Sequence, residues 1–512
     1  MQKLFIAISA LAFFAASCSK SLDINENPNQ AQSVTPNVIL SAALVGTAAN
    51  TAGSYLNLPC WLGYWSRSGN YVPDVQTETY NISNAYTNAE WSNQYTNLRN
   101  YIDIEQIGEA NGLPFYVGVA KVMKAYIMST LVDVYNDVPY TEAFKVGTIV
   151  QPKYDDAQTI YNDLVSELDS SIVYFEKAKS YYGTATSTII NTDDRYDLVY
   201  GSAKSNGAGD PTSRMVLWEE LANTVELKLL IHQSQVSGQQ TFIQAELAKI
   251  QANGFGFIGP GQSATVNPGY QASTGKFNPF YGLFYTLTAT TVTQNYYRAN
   301  TYGVNYYLNT NDSRGFFFYT DLNGSFAGNN EGDPNAVPNS NTSAIGPGLL
   351  KGFTQDQLIF SDFESLFLQA EAAQRGWITG MSEPLYESAI TQSYVYLYNG
   401  VSVYGPLNAS GDATAYYTSG INDVDWNASP NKLEAILTQK WAALNGINWV
   451  EAWTDFRRTG IPTLPITSAP THLEPQIPVR YLYPQVEINT NGVNVPKLGA
   501  NAQFSAKIFW NQ

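Results

Sequence analysis

The side chains best equipped for chemistry are scarce in this chain. It has 2 histidines and 2 cysteines among 512 residues. His232 and His472 are far apart, and neither has a His or Cys partner at metal-ligand spacing, so no zinc set is assigned. His232 ends a helical pattern and reads as a surface or capping residue. Neither a GxSxG elbow nor a Walker A loop occurs. "GFGFIG" at 254–259 has the GxGxxG spacing, but Pro260 and Gly261 follow where a phosphate-binding helix would begin, so it is rejected. Carboxylates are numerous and leave a two-carboxylate glycosidase open as an alternative, yet nothing marks a specific pair. "TDLNGSFAGNNEGDPN" gathers Asp321, Asn323, Asn329, Glu331 and Asp333, which offer oxygen ligands to Ca2+. Their spacing is not that of an EF-hand, and the segment reads as a solvated turn. No catalytic residue, metal ligand or cofactor is assigned.

Cys18 is a different case. Lys3 supplies a short positive start, Leu4 to Phe14 is apolar, and Ala15, Ala16 and Ser17 are small. This is the layout of a signal peptide, too short to span a bilayer as a mature helix. A small-residue triplet ending in Cys resembles a bacterial lipobox, although Ala15 stands where a larger apolar residue is usual. The expectation is cleavage after residue 17, lipidation of Cys18, and a membrane attachment through acyl chains only. "SKSLDINENPNQAQSV" then reads as a polar tether, giving a signal peptide at 1–17 and a lipidated tether at 18–35. With Cys18 used in this way, Cys60 is left as a small buried hydrophobe.

Composition narrows the class of partner. The formal charge is −16, from 43 acidic and 27 basic residues. That argues against a nucleic-acid footprint and against electrostatic docking on anionic lipid. Aromatic residues are the outlier, with 36 Tyr, 10 Trp and 23 Phe, 13% of the chain. Tyr and Trp offer a flat apolar face with a polar edge, which suits sugar recognition and equally suits a large helical core.

The elements that position these residues are mainly helical. Apolar periodicity predicts helices over about 36–52, 85–110, 114–135, 154–179, 213–235, 241–252 and 383–398. "SDFE" predicts a capping box, with Ser361 at the N-cap and Glu364 at N3. Ser429-Pro430 predicts another helix start, and Gly460 before Pro462 a helix stop. Residues 181–211 and 400–428 read as loops. The periodicity vanishes over about 254–352, a Gly-, Asn- and Tyr-rich stretch too long for a passive connection. The tail from 462 is Pro-rich and reads as extended. The expected fold class is mainly α, helical hairpins with large irregular inserts and minor β.

Seven segments, in order over nearly the whole mature chain, resemble the SusD/RagB family of outer-membrane lipoproteins, in form closest to its second SusD-like subgroup. They are "LDINENPN" after Cys18, "LVDVYNDVPYTEAF" at 131–144, "PKYDDAQTIYNDLVSELD" at 152–169, "LWEELANTVELKLLIHQS" at 217–234, "FESLFLQAEAAQRGW" at 363–377, "QKWAALNGINWVEAWTDFRRTGIP" at 439–462 and "PVRYLYPQVEINTN" at 478–491. The resemblance implies one domain over 36–512, with a TPR-like superhelical scaffold at about 36–253 and 353–461. An irregular ligand-facing insert at about 254–352 and the tail 462–512 complete it. It implies a nutrient-binding, non-enzymatic lipoprotein on the cell exterior, partnered with a SusC-like TonB-dependent transporter. The ligand would be a glycan or oligosaccharide, with a peptide, as for a RagB-like lid, the alternative. Trp441, Trp453 and Arg458 are read as scaffold. The ligand is expected at the loop after the first helix, through Trp61, Tyr64, Trp65, Arg67 and Tyr71, and at the insert, through Tyr281, Tyr285, Asn295, Tyr296 and Arg298.

Overall fold

A computed structural model of the chain describes residues 35–145, 147–181, 196–201, 211–287 and 293–511. Cys18 and its flanking leader lie outside the described residues. Among the described residues, ten helices of eleven residues or more make the scaffold: α1 Pro36–Gly53, α2 Asn88–Asn111, α3 Pro114–Tyr135, α4 Ala157–Tyr181, α5 Pro211–His232, α6 Gln240–Asn253, α7 Asp362–Gln374, α8 Ser382–Tyr398, α9 Lys432–Ala443 and α10 Trp449–Thr459. Neighbours in sequence pack as antiparallel hairpins, α2 on α3, α3 on α4 and α7 on α8. The chain is mainly helical, as its periodicity predicts.

The centre of the first half is α3. Gly112, left-handed at φ 64°, ends α2, and Pro114 opens α3 at its first turn, so the two helices fold back on each other. α3 is apolar nearly all round and long enough to cross a membrane, yet 83% of its most apolar window is buried inside the protein. It is a core helix with neighbours on every side. Gly118 lets α4 approach closely, since a Cβ there would meet the Phe175 ring at 2.7 Å. Ile160, Leu164, Leu168, Ile172 and Phe175 form the buried stripe of α4, at the spacing read from sequence. Lys121 and Lys124 are the two cations on α3. Both pair with Glu105 of α2 and Glu167 of α4, at 2.7–3.0 Å, so each charge in the seam is matched.

A second, fully buried ionic network joins α5, α7, α9 and α10. Lys228 bridges Glu364 at 3.2 Å and Glu451 at 2.8 Å, and Lys440 bridges Glu451 at 2.5 Å and Asp455 at 2.8 Å. His232 sits inside this network, Nε2 at 3.2 Å from Glu451 and Nδ1 at 3.5 Å from Asp133. It is therefore a buried residue and not the surface or capping residue expected. The helical period placed it correctly at the end of α5, but the carboxylates that hold it come from α3 and α10, more than 90 residues away in sequence. Ser361 caps α7 by accepting from the Glu364 N–H, whereas the Glu364 carboxylate goes to Lys228 and Asn448.

Other expectations need correction. α9 starts at Lys432 with Asn431 as its cap, because the Ser429 hydroxyl accepts from Asp423 N–H and donates to the Asp425 carbonyl. The 400–428 segment contains a helix, Ala409–Tyr417, which buries Ala413 and Tyr416 against α8. The tail is more than extended chain. It carries short helices at Gln485–Asn491 and Ala502–Ser505, and Tyr481, Tyr483 and Trp510 are buried in the scaffold. "GFGFIG" follows α6, with Gly254 as its left-handed C-cap, so it ends a helix and opens none.

Two small antiparallel ladders fasten the irregular insert. β1 Trp65–Arg67 pairs with β3 Tyr297–Ala299, and β2 Ala264–Val266 pairs with β4 Gln357–Phe360. The first ladder sets the loop after α1 against the insert, with Arg67 opposite Tyr297 and Ser66 opposite Arg298.

Candidate ligand-binding site

The loop after α1 begins as core. Trp61 is buried, stacks on Tyr481 at 5.7 Å and donates from Nε1 to the Thr77 carbonyl at 3.0 Å. Tyr64 is buried against Trp441, ring centroids 5.1 Å apart, and its hydroxyl donates to the Trp441 carbonyl at 2.6 Å. Trp65 is enclosed by Phe284, Tyr297 and Trp449. The expectation that Trp61, Tyr64 and Trp65 present faces to a ligand is therefore corrected. None has solvent-facing surface, and each joins the loop to the scaffold helices or the tail.

The two arginines expected at the ligand are also buried. Arg67 pairs with Glu78 at 2.6 Å and donates to the carbonyls of Tyr71 at 2.8 Å and Asp333 at 3.1 Å. Arg298 donates to Thr342 Oγ1 at 3.0 Å, to the Asn339 carbonyl at 3.0 Å and to Asn295 Oδ1 at 3.4 Å. Burial pulls the Arg298 guanidinium down to about 10. Both side chains spend donors on carbonyls and side chains of the loops, Arg67 reaching from the loop after α1 to the insert. In the 321–333 segment, Asn329 donates to the Arg67 and Val337 carbonyls and Asp321 accepts from Gly324 N–H. Asn329 and Glu331 are buried whereas Asp321 and Asn323 are exposed, so the first part of the segment is the solvated turn expected and the second part is packed.

Above these residues lies an open aromatic edge. Tyr71 is 37% exposed, and its ring meets half-buried Tyr296 edge to face at 5.7 Å. Tyr296 also lines a cleft of about 120 Å³ with Leu56, Asn57, Asp74, Thr77, Tyr86 and Glu90. Asn57 is buried and its Nδ2 has no hydrogen-bond partner, while its Oδ1 accepts from Tyr481 at 2.8 Å. Asp74 caps the short helix Val75–Thr79, accepting from Gln76 N–H at 3.1 Å and Thr77 Oγ1 at 2.8 Å. Burial raises the Glu90 carboxyl above its usual value. The cleft thus sets an amide and two carboxyl groups beside tyrosine rings.

A second aromatic platform stands on the short helix Pro279–Phe284, whose cap is Asn278. Tyr281 and Tyr285 stack at 4.5 Å with their planes 7° apart, and Phe353 meets Tyr281 edge to face at 4.7 Å. Both tyrosines keep partial exposure, as does Asn295. Of the ten residues picked from sequence, five remain at the surface edge: Tyr71, Tyr281, Tyr285, Asn295 and Tyr296. Asn57, Asp74, Tyr86 and Glu90 were missed. Only Asp74 left a local trace, as an N-cap before "VQTET".

A helical-hairpin scaffold carrying a loop-built, tyrosine-edged cleft defines the class. The comparisons agree. The family model SusD-like_2, described as starch-binding associating with outer membrane, matches residues 28–484. The chain belongs to this SusD-like family, whose members are non-catalytic nutrient-binding proteins of the outer membrane. No curated protein matches it. Among solved structures it is similar to a chitin-binding protein, at 22% identity and a TM-score of 0.71 over 93% of this chain and 100% of that one. It is similar to a SusD homologue from Bacteroides fragilis, at 20% identity and a TM-score of 0.70 over 94% and 100%. A chitin-binding SusD homologue from Flavobacterium johnsoniae gives 20% identity and a TM-score of 0.70 over 92% and 98%.

Proposed function

We propose that this outer-membrane protein captures a glycan at the cell exterior and delivers it to a SusC-like TonB-dependent transporter. The observation that carries the proposal is the Tyr71–Tyr296 edge bordering a cleft that holds Asn57, Asp74 and Glu90. Tyrosine faces stack on the C–H faces of sugar rings, and amide and carboxyl groups hydrogen-bond the hydroxyls around them. The cleft alone is smaller than the roughly 300–1,000 Å³ of ordinary small-molecule pockets. It takes one end of a ligand whose length lies along the open rings. Tyr281 and Tyr285 offer a further stacking surface, and Asn295 a polar group near Arg298. Two structurally similar proteins are described as chitin-binding, which makes chitin oligosaccharides the first ligands to test.

In the same proposal, Cys18 carries the acyl chains that hold the protein to the membrane, and 36–512 acts as one unit above the transporter. Expression of a Cys18→Ala form in a native host tests the anchor. The expected result is loss from the membrane fraction and loss of co-purification with the transporter. A Cys18→Ala form that stays membrane-bound with its transporter would contradict it.

A further inference from the structure

Asp169 on α4, Glu226 on α5 and Glu246 on α6 converge at the seam of three scaffold helices, remote in sequence from every residue of the ligand cleft. One carboxylate oxygen from each lies within 4.8 Å of the other two. Glu226 is 1% exposed, and its Oε1 has no hydrogen-bond partner. A buried, unmatched carboxylate oxygen costs several kcal/mol of desolvation unless a charge or proton compensates it. Among the described residues, the cation paired with this cluster is Lys249, which meets Asp169 at 2.7 Å and Glu246 at 2.5 Å, and whose side chain is about half exposed. Three carboxylates facing one ammonium leave an excess of negative charge.

We propose that Asp169, Glu226 and Glu246 form a calcium site that clamps α4, α5 and α6 together, with Lys249 as its displaceable counter-ion. The donor set is all oxygen, which suits a hard cation. Three carboxylates converging on one point suit Ca2+, which takes six to eight oxygen ligands, better than Mg2+, which keeps several waters and binds through one or two carboxylates. Lys249 reaches the cluster from the surface and swings into solvent when the ion enters. Water completes the coordination on the exposed Asp169 side.

The test is calorimetric titration of the full mature chain with CaCl2 after chelator treatment, with thermal melting in parallel. The expected result is saturable Ca2+ binding, a higher melting temperature in Ca2+, and weaker binding of Mg2+. Lys249→Met binds Ca2+ more tightly, because the competing ammonium is gone. Glu226→Gln weakens binding by at least about tenfold, through loss of one charged ligand. It melts no lower than wild type without metal, because a buried uncompensated charge is removed. Should that variant fold poorly, Asp169→Asn serves, with the same expected loss. Absence of saturable Ca2+ binding in both wild type and Lys249→Met overturns the proposal. So does a Ca2+ affinity unchanged by Glu226→Gln or by Asp169→Asn.

Discussion

Glu371 on α7 receives both terminal nitrogens of Arg458 on α10, Nη1–Oε1 at 2.7 Å and Nη2–Oε2 at 2.9 Å, with both side chains out of solvent. Asp455 takes the same guanidinium at 2.7 Å, and Arg375 reaches Glu371 at 2.8 Å. The contact ties the second half of the scaffold together. Removing one partner leaves the other buried and unpaired, which costs about 3–5 kcal/mol. Arg458→Met is expected to lower stability by that amount in urea denaturation, and adding Glu371→Gln to recover part of it. A loss under about 1 kcal/mol would show that the pair is not structural.

The same network makes opposite contributions to pH dependence. Burial alone would raise the Glu371 carboxyl, but Arg458 outweighs it and, with Arg375 and Lys440, holds it down to about 2. A depressed folded-state value means stabilisation that is complete above about 4.5 and lost as pH falls toward about 2. His232 runs the other way. Burial would lower it, but Asp133 and Glu451 together raise it above 6.5. Its contribution is complete below 6.5 and is lost as pH rises through the raised folded-state value. Stability measured from pH 6 upward is expected to fall in wild type and to slope less in His232→Asn. Equal slopes would remove His232 from the network's titration.

Trp61 and Tyr296 separate core from site. Trp61→Ala is expected to cost about 3–5 kcal/mol in stability, as for other buried Trp truncations. Tyr296→Ala is expected to leave the melting temperature within a few degrees of wild type and to act on ligand affinity. Paired denaturation and binding curves check this. A Tyr296→Ala loss of stability as large as that of Trp61→Ala would mark Tyr296 as packing.

Gly69 positions the exposed end of the loop. Its N–H donates to the Val337 carbonyl at 2.9 Å, and a Cβ there would collide with the Ala336 carbonyl oxygen. Gly69→Ala pushes the 68–74 loop from the insert and moves Tyr71 relative to Tyr296. The expected cost is about 1–3 kcal/mol of stability, typical of overpacking, together with weaker ligand binding. Unchanged binding would show that the Tyr71 position does not matter.

The scaffold was legible because its signals are local. Pro114 and Tyr135 bound α3 in both sequence and structure, and Ser361 and Gly460 cap the helices they were expected to cap. Of the candidate site, the chain segments were legible and the side-chain directions were not. Aromatic type and loop position located the two chain segments that β1 and β3 bring together. Residue type does not say which ring faces inward. Trp61, Tyr64 and Trp65 are within ten positions of Tyr71, and their burial is set by Tyr481, Trp441 and Trp449, each more than 375 residues along the chain. Asn57 and Glu90 carry no local mark of a site, since the cleft exists only once α2, the loop and the insert are assembled.

Calorimetric titration of the mature chain with chitin- and starch-derived oligosaccharides and with peptides tests the central claim most directly. The account predicts saturable binding of an oligosaccharide, weakened by about 2 kcal/mol, or roughly thirtyfold, in Tyr71→Ala and Tyr296→Ala, in line with truncation of an aromatic anchor. Binding of peptides alone, or oligosaccharide affinity unchanged in both variants, would contradict it.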